Sequence, residues 1–393
     1  MDKTQKNLGL LSTCQALLFV NNSVLTTVNG LAGYALAQDK ALATLPVTSY
    51  FVGSALSALP VSFLMKRHGR RFGFVTGALF AMLGAVLCAV AVYGGYFWLL
   101  CAGTLVLGVY FASAQYYRFA AAEVVPTHAK STAISLVLAG GIVGGFLGPE
   151  TTKLTRDAVT DHLYVGAYGS LVFFALLAVV VLRFLEVPPL SAEERKDAGR
   201  PISQIARQPA FVVAVLCGVI AYGTMNLLMT ATPLAMVACE HPFSDAAFVI
   251  QWHMVAMFAP SFVTGTLIKR VGLVPVMFGG AGLIAVCAVV ALTGIDVAHF
   301  WIALVLLGVG WNFLYIGATT LLTDAHTPAE RAKVQGVNDM IIFVTMVVSS
   351  ASAGALFTYR GWQIMNAVSL PFVALAMSAL VWLWVVRRRA AAA

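Results

Sequence analysis

Charged residues are scarce in this chain of 393 residues. Only 10% of its positions are Asp, Glu, Lys or Arg, whereas hydrophobic residues make up 60%. Soluble domains carry roughly 25% charged residues, so most of this chain is not built for contact with water. The formal net charge of +8 does not indicate nucleic-acid binding, because the basic residues lie in short turns between apolar runs rather than on one face.

The sequence also lacks the motifs of several common protein classes. Its six cysteines are scattered without a CxxC or another metal-ligand spacing, and we interpret them as small packing residues. The missing GxxxxGK[ST] loop excludes a P-loop pump. Neither HExxH nor GxSxG is present, so an enzyme is not expected. We predict no cofactor, no metal site and no nucleic-acid partner.

Long apolar runs, in contrast, follow one another along the whole chain. A helix needs about 20 apolar residues to cross a bilayer, and we count twelve such runs. Numbered as spans one to twelve, they are predicted at 8–36, 44–65, 72–93, 96–122, 129–152, 162–185, 209–238, 244–269, 273–293, 297–323, 331–357 and 361–386. The predicted fold class is therefore an all-α integral membrane protein with twelve transmembrane helices.

A basic turn occurs twice, about half the chain apart. Lys66-Arg67-His68-Gly69 follows span two, and Lys269-Arg270-Val271-Gly272 follows span eight. A second landmark repeats in the same order, because residues 123–130 follow span four and residues 324–331 follow span ten. Landmarks that recur in order at one spacing indicate duplicated halves. The predicted domains are a six-helix half at 1–185, a cytoplasmic linker at 186–208 and a second six-helix half at 209–393.

The distribution of Lys and Arg predicts the orientation in the membrane. Most of these residues fall on one side of the predicted spans, and the other side holds only Lys40, Lys153, Arg156 and Arg360. By the positive-inside rule, both termini are then cytoplasmic. The short loops are typical of a protein of the bacterial cytoplasmic (inner) membrane. We expect a monomer that is surrounded by the lipid bilayer.

Polar residues inside the spans are the candidates for function. In hydrocarbon, such side chains face the protein interior or a watery cavity. Spans three and nine carry almost none and are predicted to face lipid. The candidate substrate-cavity residues are Asn22, Thr26, Asn29, Gln115, Arg118, Tyr222, Asn226, Trp252, His253, Trp311, Asn312 and Tyr315. For the aromatic residues among them, a packing role is the open alternative.

These features resemble the major facilitator superfamily along essentially the whole chain. That family's loop between helices two and three reads Gly-x-x-x-Asp-Arg-x-Gly-Arg-Arg, which corresponds to Ser62–Arg71 here and, in part, to Gly265–Gly272. Glu123-x-x-Pro126-x-x-x-Lys130 is similar to the family's Glu-x-x-Pro-x-x-x-Arg. The resemblance implies a fold of two pseudo-symmetric six-helix halves, and it implies transport by alternating access.

The resemblance also implies that the repeated motifs control the conformation. The predicted gating residues are Lys66, Arg67, Gly69, Arg70, Arg71, Glu123, Lys130, Lys269, Arg270, Gly272, Glu330 and Arg331. The acid of the family's loop is replaced by lysine in both halves, at Lys66 and Lys269. Because a lysine is repelled by a helix N-terminus, we expect Lys66 to pair with Glu330 or Asp339 instead.

Three titratable residues have more than one interpretation. Arg118 is compatible with an anion site and with a structural role, bonded to Glu123 or to neighbouring helix ends. His253 is compatible with a neutral histidine that is hydrogen-bonded between helices. It is also compatible with a proton-coupling or substrate-contacting group, since its titration range suits pH 5–8. Asp339 is compatible with proton coupling, with cation binding and with pairing to Lys66. His253 and Asp339 are therefore the proton-coupling candidates.

The sequence thus predicts a secondary active transporter of a small organic solute, driven by protons. A neutral polar or anionic solute is favoured, because span one lacks the carboxylate that many drug–proton antiporters keep there. Export of lipophilic compounds by drug–proton antiport is the alternative, and a membrane sensor without transport is a minor one. Part of an antiporter signature is matched by Gly140, Gly144, Gly148 and Pro149, although this spacing also permits close packing.

Overall fold

The computed structural model of the chain describes residues 2–39, 42–188, 193–194, 197 and 199–392. Helices without any strand make up the secondary structure of these residues. Lys40 lies outside the described residues, as do residues 189–192, 195–196 and 198 of the predicted linker. The described part of the linker includes the short helix Ile202–Ile205.

Eleven described helices are long and apolar enough to cross a membrane, and a bent pair supplies a twelfth span. In chain order their bounds are Lys3–Leu36, Leu45–His68, Arg70–Gly94, Phe97–Glu123, Thr127–Thr155, Val165–Leu182, Pro209–Ala238, the pair Ser244–Phe258 and Ser261–Val271, Leu273–Thr293, Val297–Thr323, Arg331–Ala353 and Tyr359–Arg389. The predicted all-α fold with twelve spans is confirmed. Its physical reason is that a backbone in lipid finds hydrogen-bond partners only within its own helix.

Three spans are interrupted. Span eight bends by 42° at Pro260, which has no N–H to donate and whose ring clashes with the preceding turn. Span four consists of the helices Phe97–Ala114 and Tyr117–Glu123. Span five consists of Lys130–Ala139 and Gly141–Thr155. Such interruptions matter because polar side chains near the first two breaks are among the candidate site residues.

The two basic turns share one backbone conformation. Gly69 has φ 91° and ψ 162°, and Gly272 has φ 103° and ψ 156°. Residues other than glycine rarely adopt this region of positive φ. The two turns therefore share one backbone geometry, as duplicated halves would.

By proximity, the residues group into two compact units. The first comprises Met1–Pro126, Gly140–Gly199 and Pro328–Val344, and the second comprises Thr127–Ala139, Arg200–Thr327 and Thr345–Ala393. Each unit thus includes a short segment from the other sequence half. The start of span eleven belongs to the first unit, and the start of span five belongs to the second. The division into halves at 1–185 and 209–393 concerns the duplication and stays a prediction.

Span three, in the first unit, presents one apolar face outward. Leu79, Leu83 and Val86 on this face are about half exposed. On the opposite face the backbone approaches span four so closely that a Cβ at Gly84 would lie 2.8 Å from the carbonyl oxygen of Gly103. In the second unit, span nine likewise exposes apolar side chains such as Val289. Both arrangements agree with the prediction that these spans face lipid.

Candidate functional site

A buried ion pair in the first unit joins span four to span eleven. Arg118 Nη2 donates to Asp339 Oδ1 at 2.6 Å, and the two side chains are only 1% and 2% exposed. Arg118 Nη1 donates to the backbone carbonyl of Gln115 and, at 2.9 Å, to Gln115 Oε1. The guanidinium also lies 4.4 Å from the ring centroid of Phe119. Apart from Asp339, these partners of Arg118 belong to its own span.

This pair answers the question that the sequence left open for Arg118. Neither Glu123 nor an anionic ligand is needed as its partner, and Asp339 does not pair with Lys66. Residues 118 and 123 are five positions apart on a helix and therefore point in directions roughly 140° apart. A buried charge without a counter-ion is costly, so the pairing of the two groups is physically expected once the spans adjoin.

A second charged cluster connects the first basic turn to spans four and eleven. Arg70 donates through Nη2 to Glu123 Oε1 and to Gln335 Oε1, both at 2.6 Å. Arg70 Nε reaches Glu123 Oε2 at 3.3 Å, and Arg331 Nη1 reaches the same oxygen at 3.0 Å. Arg70 is buried, and its guanidinium lies 5.3 Å from the ring centroid of Tyr116. The cluster therefore holds three elements of the first unit together.

Lys66 contacts backbone carbonyls rather than either carboxylate that the sequence suggested. Its Nζ donates to the carbonyl oxygens of Ala329 at 2.8 Å and of Asp197 at 2.7 Å. The expected pairing with Glu330 or Asp339 is therefore wrong. An ammonium group has three donors and no acceptor, and it is satisfied by the Ala329 carbonyl just before span eleven and by the Asp197 carbonyl of the linker. The substitution of the family's loop acid by lysine thus keeps a contact with span eleven, but with reversed polarity.

The other predicted gating residues of the first unit lie in different surroundings. Arg67 and Arg71 are exposed, whereas Glu330 is buried. One turn before Lys66, Ser62 Oγ donates to the carbonyl oxygen of Ala332 at 2.7 Å. Within the first unit, contact with span eleven therefore runs along span two.

The second basic turn has no comparable buried cluster among the described residues. Lys269 and Arg270 are exposed in the second unit. The close contact there is made by the backbone, since a Cβ at Gly265 would lie 2.5 Å from Thr132 Cα in span five. Ser135 Oγ accepts from the Gly265 N–H at 3.1 Å. This contact is not among those predicted from the sequence, although the spacing of Ser131 and Ser135 is typical of helix packing in membranes.

Each of the two repeated landmarks, residues 123–130 and 324–331, has an acid that lies near a basic residue of the other landmark. Glu123 pairs with Arg331 in the first unit. In the second unit, the Asp324 side chain is exposed, but partial burial of its carboxyl group raises the pKa above the ordinary value. The positive charges of Lys130 and Arg387 oppose this rise. Lys130 is thus within electrostatic reach of Asp324. This reciprocal arrangement could not be read from either landmark alone.

The polar residues of span one bind neighbouring spans in the first unit. Asn22 Oδ1 accepts from the Tyr50 hydroxyl at 3.2 Å, and Asn29 Oδ1 accepts from the Tyr168 hydroxyl at 2.7 Å. Thr26 is exposed and donates to the carbonyl of Asn22 at 2.8 Å. Asn29 is buried and holds span six, whereas Asn22 is only half-buried.

Three aromatic candidates come together in the second unit. The Tyr222 ring lies perpendicular to both Trp311 and Tyr315, with centroids 5.3 Å and 4.8 Å away, and Trp311 stacks on Tyr315 at 4.9 Å. Trp311 is completely buried, and its Nε1 has no acceptor in the described part of the chain. A buried indole N–H usually finds a partner, so this atom has an unused donor.

The remaining candidates of the second unit have different surroundings. Asn312 donates to the Met257 carbonyl and to Ser261 Oγ, both at 2.6 Å, and thereby binds both sides of the bend in span eight. His253 is buried, and its Nδ1 lies 2.7 Å from the Leu304 carbonyl oxygen.

Asn226 and Trp252 also differ from each other in the second unit. Asn226 Nδ2 donates to the Met346 carbonyl at 3.1 Å and to Ser349 Oγ at 2.9 Å. The Trp252 ring is 43% exposed and lies apart from the aromatic cluster, next to Trp301.

A helical membrane protein with twelve spans, duplicated basic turns and ion pairs between spans four and eleven has the features of a secondary transporter. The chain belongs to the major facilitator superfamily, since the model of that family matches residues 11–250 and 214–393. It is 42% identical over 379 residues to a riboflavin transporter of Brucella anthropi, covering 96% of this chain and 95% of that protein.

Solved structures support the same fold at low sequence identity. A human organic anion transporter superposes with a TM-score of 0.78 at 13% identity, covering 97% of this chain and 100% of that one. The Escherichia coli fucose:proton symporter superposes with a TM-score of 0.74 at 17% identity, covering 96% and 97%. The family match and the 42% identical relative, rather than these structures, indicate that the protein is a multi-pass membrane transporter for a small solute.

Proposed function

We propose that this protein transports riboflavin, or a closely similar neutral solute, by proton-driven alternating access. The observation that carries the choice of solute is the 42% identity to the riboflavin transporter, which extends along nearly the whole of both chains. The solved structures, at 13% and 17% identity, support the fold alone.

The charges of the first unit support a neutral solute over an anion. Arg118 is bound to Asp339, and Arg70 is bound to Glu123. An anionic solute would have to compete with these buried carboxylates, at a cost of several kcal/mol per displaced ion pair. Riboflavin is uncharged and combines a planar ring system with a polyhydroxylated chain, so it needs hydrogen-bonding and stacking groups instead.

Such groups are present in each unit taken by itself. In the second unit, the cluster of Tyr222, Trp311 and Tyr315 offers aromatic faces to a planar ring, and Trp311 Nε1 offers an unused donor. In the first unit, half-buried Asn22 offers an amide group. We assign the aromatic cluster of the second unit to solute binding.

Drug export receives less support. The glycines of span five that match part of an antiporter signature are packed against span one, since a Cβ at Gly144 would lie 2.4 Å from the Phe19 carbonyl carbon. A Cβ at Gly148 would lie 2.3 Å from Ser23 Cβ. Close packing accounts for their spacing.

We further propose the location and organisation that the sequence predicts. The protein lies in a bacterial cytoplasmic membrane with both termini inside, works as a monomer, and moves its halves 1–185 and 209–393 about the linker 186–208. The basic turns lie on the cytoplasmic side, and the clusters around Arg70 and Arg118 hold that side closed.

The solute assignment can be tested by the thermal stability of purified protein in detergent. A ligand at 100 times its Kd stabilises the folded form by about 2.7 kcal/mol. We expect stabilisation by riboflavin, but not by an organic anion or a lipophilic cation. Trp311→Phe should weaken the effect of riboflavin, whereas Trp252→Phe, at an exposed ring, should not. Stabilisation by lipophilic cations without any effect of riboflavin would favour drug export instead.

A further inference from the structure

We propose that Asp339 is the proton-binding residue of this transporter and that Arg118 is its fixed counter-ion. The inference rests on the proposed function as a proton-driven transporter, but it does not depend on which solute is carried. Asp339 lies on span eleven and Arg118 on span four, so the ion pair connects the two halves of the sequence within the first unit.

The contacts of the two partners are unequal. Arg118 is also bound by the Gln115 carbonyl, by Gln115 Oε1 and by the Phe119 ring, all on span four. Asp339 receives one further bond, from Asn338 Nδ2 at 2.8 Å, through the same Oδ1 that binds Arg118. If span eleven moves away from span four, Arg118 keeps these local partners, while Asp339 keeps one amide. The penalty of separation is therefore larger for the carboxylate than for the guanidinium.

A proton is the simplest way to remove that penalty. A carboxylate taken from its counter-ion in a dry environment becomes neutral rather than remaining charged. Asp339 Oδ2 has no hydrogen-bond partner among the described residues, so this oxygen can accept the proton. Glu123 differs, because Oε1 binds Arg70 and Oε2 binds both Arg70 and Arg331.

The groups around Asp339 support this role. Arg118 and Tyr116 face it from span four, and Arg70 acts on it from the start of span three. Lys66, at the end of span two, is bonded to the Ala329 and Asp197 carbonyls. His253, the other proton-coupling candidate, lies in the second unit with its Nδ1 against a backbone carbonyl. We assign His253 to packing.

The coupling step then follows from the ion pair. A proton that reaches Asp339 Oδ2 from the outer side neutralises the carboxylate, breaks its ion pair with Arg118 and releases span eleven from span four, which permits opening on the cytoplasmic side. Loss of the proton to the cytoplasm restores the charge and the ion pair, and the same side closes. One proton crosses the membrane in each cycle, with no covalent change in the protein.

A labelling experiment tests the inference without any solute. In the full chain with its six cysteines replaced by alanine, Ser62→Cys places a thiol where span two contacts span eleven, and His68→Cys gives an exposed reference. Both are labelled with a membrane-impermeant maleimide in inverted vesicles at about pH 5.5 and about pH 8, where one proton can shift the open fraction by up to about tenfold per pH unit. The ratio of the two rates removes the intrinsic pH dependence of the reagent.

We expect the ratio to be high at the lower pH and low at the higher pH. Asp339→Asn, which mimics the protonated acid, should give a high ratio at both values, and Asp339→Glu should restore the pH dependence. Asp157→Asn, at an exposed acid, should behave as the unchanged chain does. A pH-dependent ratio that persists in folded Asp339→Asn, or that disappears in folded Asp339→Glu, overturns the proposal.

Transport assays separate this inference from the choice of solute. In proteoliposomes, Asp339→Asn should exchange riboflavin but should not accumulate it in response to a pH gradient. If riboflavin is not transported at all while the labelling ratio follows pH as described, the solute is wrong and the proton site stands. Accumulation by Asp339→Asn that equals that of the unchanged chain would contradict the proton site.

Discussion

The two basic turns have the same backbone conformation but differ in their contacts, because a buried charged cluster adjoins only the first of them among the described residues. Gly69 and Gly272 adopt nearly the same φ and ψ, and a lysine and an arginine precede each of them. After the first turn, Arg70 is buried against Glu123 and Gln335. After the second turn, Leu273 occupies the position of Arg70.

The backbone of the turn is thus common to both copies of the motif, but the means of contact is not. In the first unit, charged side chains bind span eleven to spans three and four. In the second unit, the close approach of spans five and eight uses Gly265 and the small side chain of Ser135. The first contact is strong only while its charges are paired, whereas the second depends on shape.

The largest expected effect is that of Arg70→Ala. It removes the charge that Glu123 and Gln335 bind, and the loss of one partner of a buried ion pair costs about 3–5 kcal/mol. Because Arg331 still reaches Glu123, we expect the lower end of that range. Thermal unfolding in detergent measures the change. The matched control is Arg270→Ala at the exposed second turn, for which we expect about 0.5 kcal/mol or less. Equal effects of the two variants would refute the contrast between the turns.

The turn glycines should give the opposite pattern, namely equal effects in both copies. Gly69→Ala and Gly272→Ala each place a Cβ on a backbone with strongly positive φ, which costs about 1–3 kcal/mol. A Cβ at Gly69 would meet no other atom within 4 Å, so the cost arises from backbone strain rather than from a clash. Thermal unfolding of both variants checks this, and a difference of several kcal/mol between them would show that the turns are not equivalent.

The two lysines that replace the family's loop acid should differ, but by less. Lys66→Ala removes the bonds to the Ala329 and Asp197 carbonyls, and we expect a loss of about 1 kcal/mol. Lys269→Ala, at an exposed side chain, should have almost no effect. The comparison uses the same unfolding assay. A Lys66→Asp variant that is more stable than the unchanged chain would show that the family's acid still suits this position.

The smallest expected effect concerns Asp324. Surrounding protein raises the pKa of its carboxyl, so the folded form holds a proton more tightly than the unfolded form does. The resulting stability is fully present below the unfolded pKa and is lost as the pH rises through the folded pKa. We expect Asp324→Asn to remove this small dependence from the melting temperature at pH values above the ordinary carboxyl pKa. A larger loss of stability on acidification in the unchanged chain would reverse the assigned sign.

The spans could be predicted because their signal is local. Pro209–Ala238, Leu273–Thr293 and Val297–Thr323 have the predicted bounds, since a long apolar run in lipid has no alternative to a helix. The two basic turns could also be predicted, because the glycine that a positive φ favours ends the same short Lys-Arg-x-Gly pattern in both. Glu123 and Arg331 could be proposed as gating candidates from the family resemblance, but their contact with each other could not be predicted.

The partners could not be predicted, because they are set by the rotation of each helix about its own axis. Arg118 and Asp339 are separated by 221 positions, and a small rotation would bring either group against another residue. The same reason explains why Lys66 was assigned to a carboxylate rather than to backbone carbonyls. Asn312 was predicted as a cavity residue, and its bonds across the bend in span eight depend on Pro260, whose bend the apolar pattern does not reveal.

The most direct test of the central claim is counterflow of labelled riboflavin in proteoliposomes. Vesicles that contain purified protein and unlabelled riboflavin are diluted into a trace of labelled riboflavin, and the label inside is followed over time. The account predicts a transient accumulation that saturates with concentration and disappears when excess unlabelled riboflavin is added outside. Label entry no faster than in protein-free liposomes, by protein that is folded and correctly inserted, would contradict riboflavin as the solute.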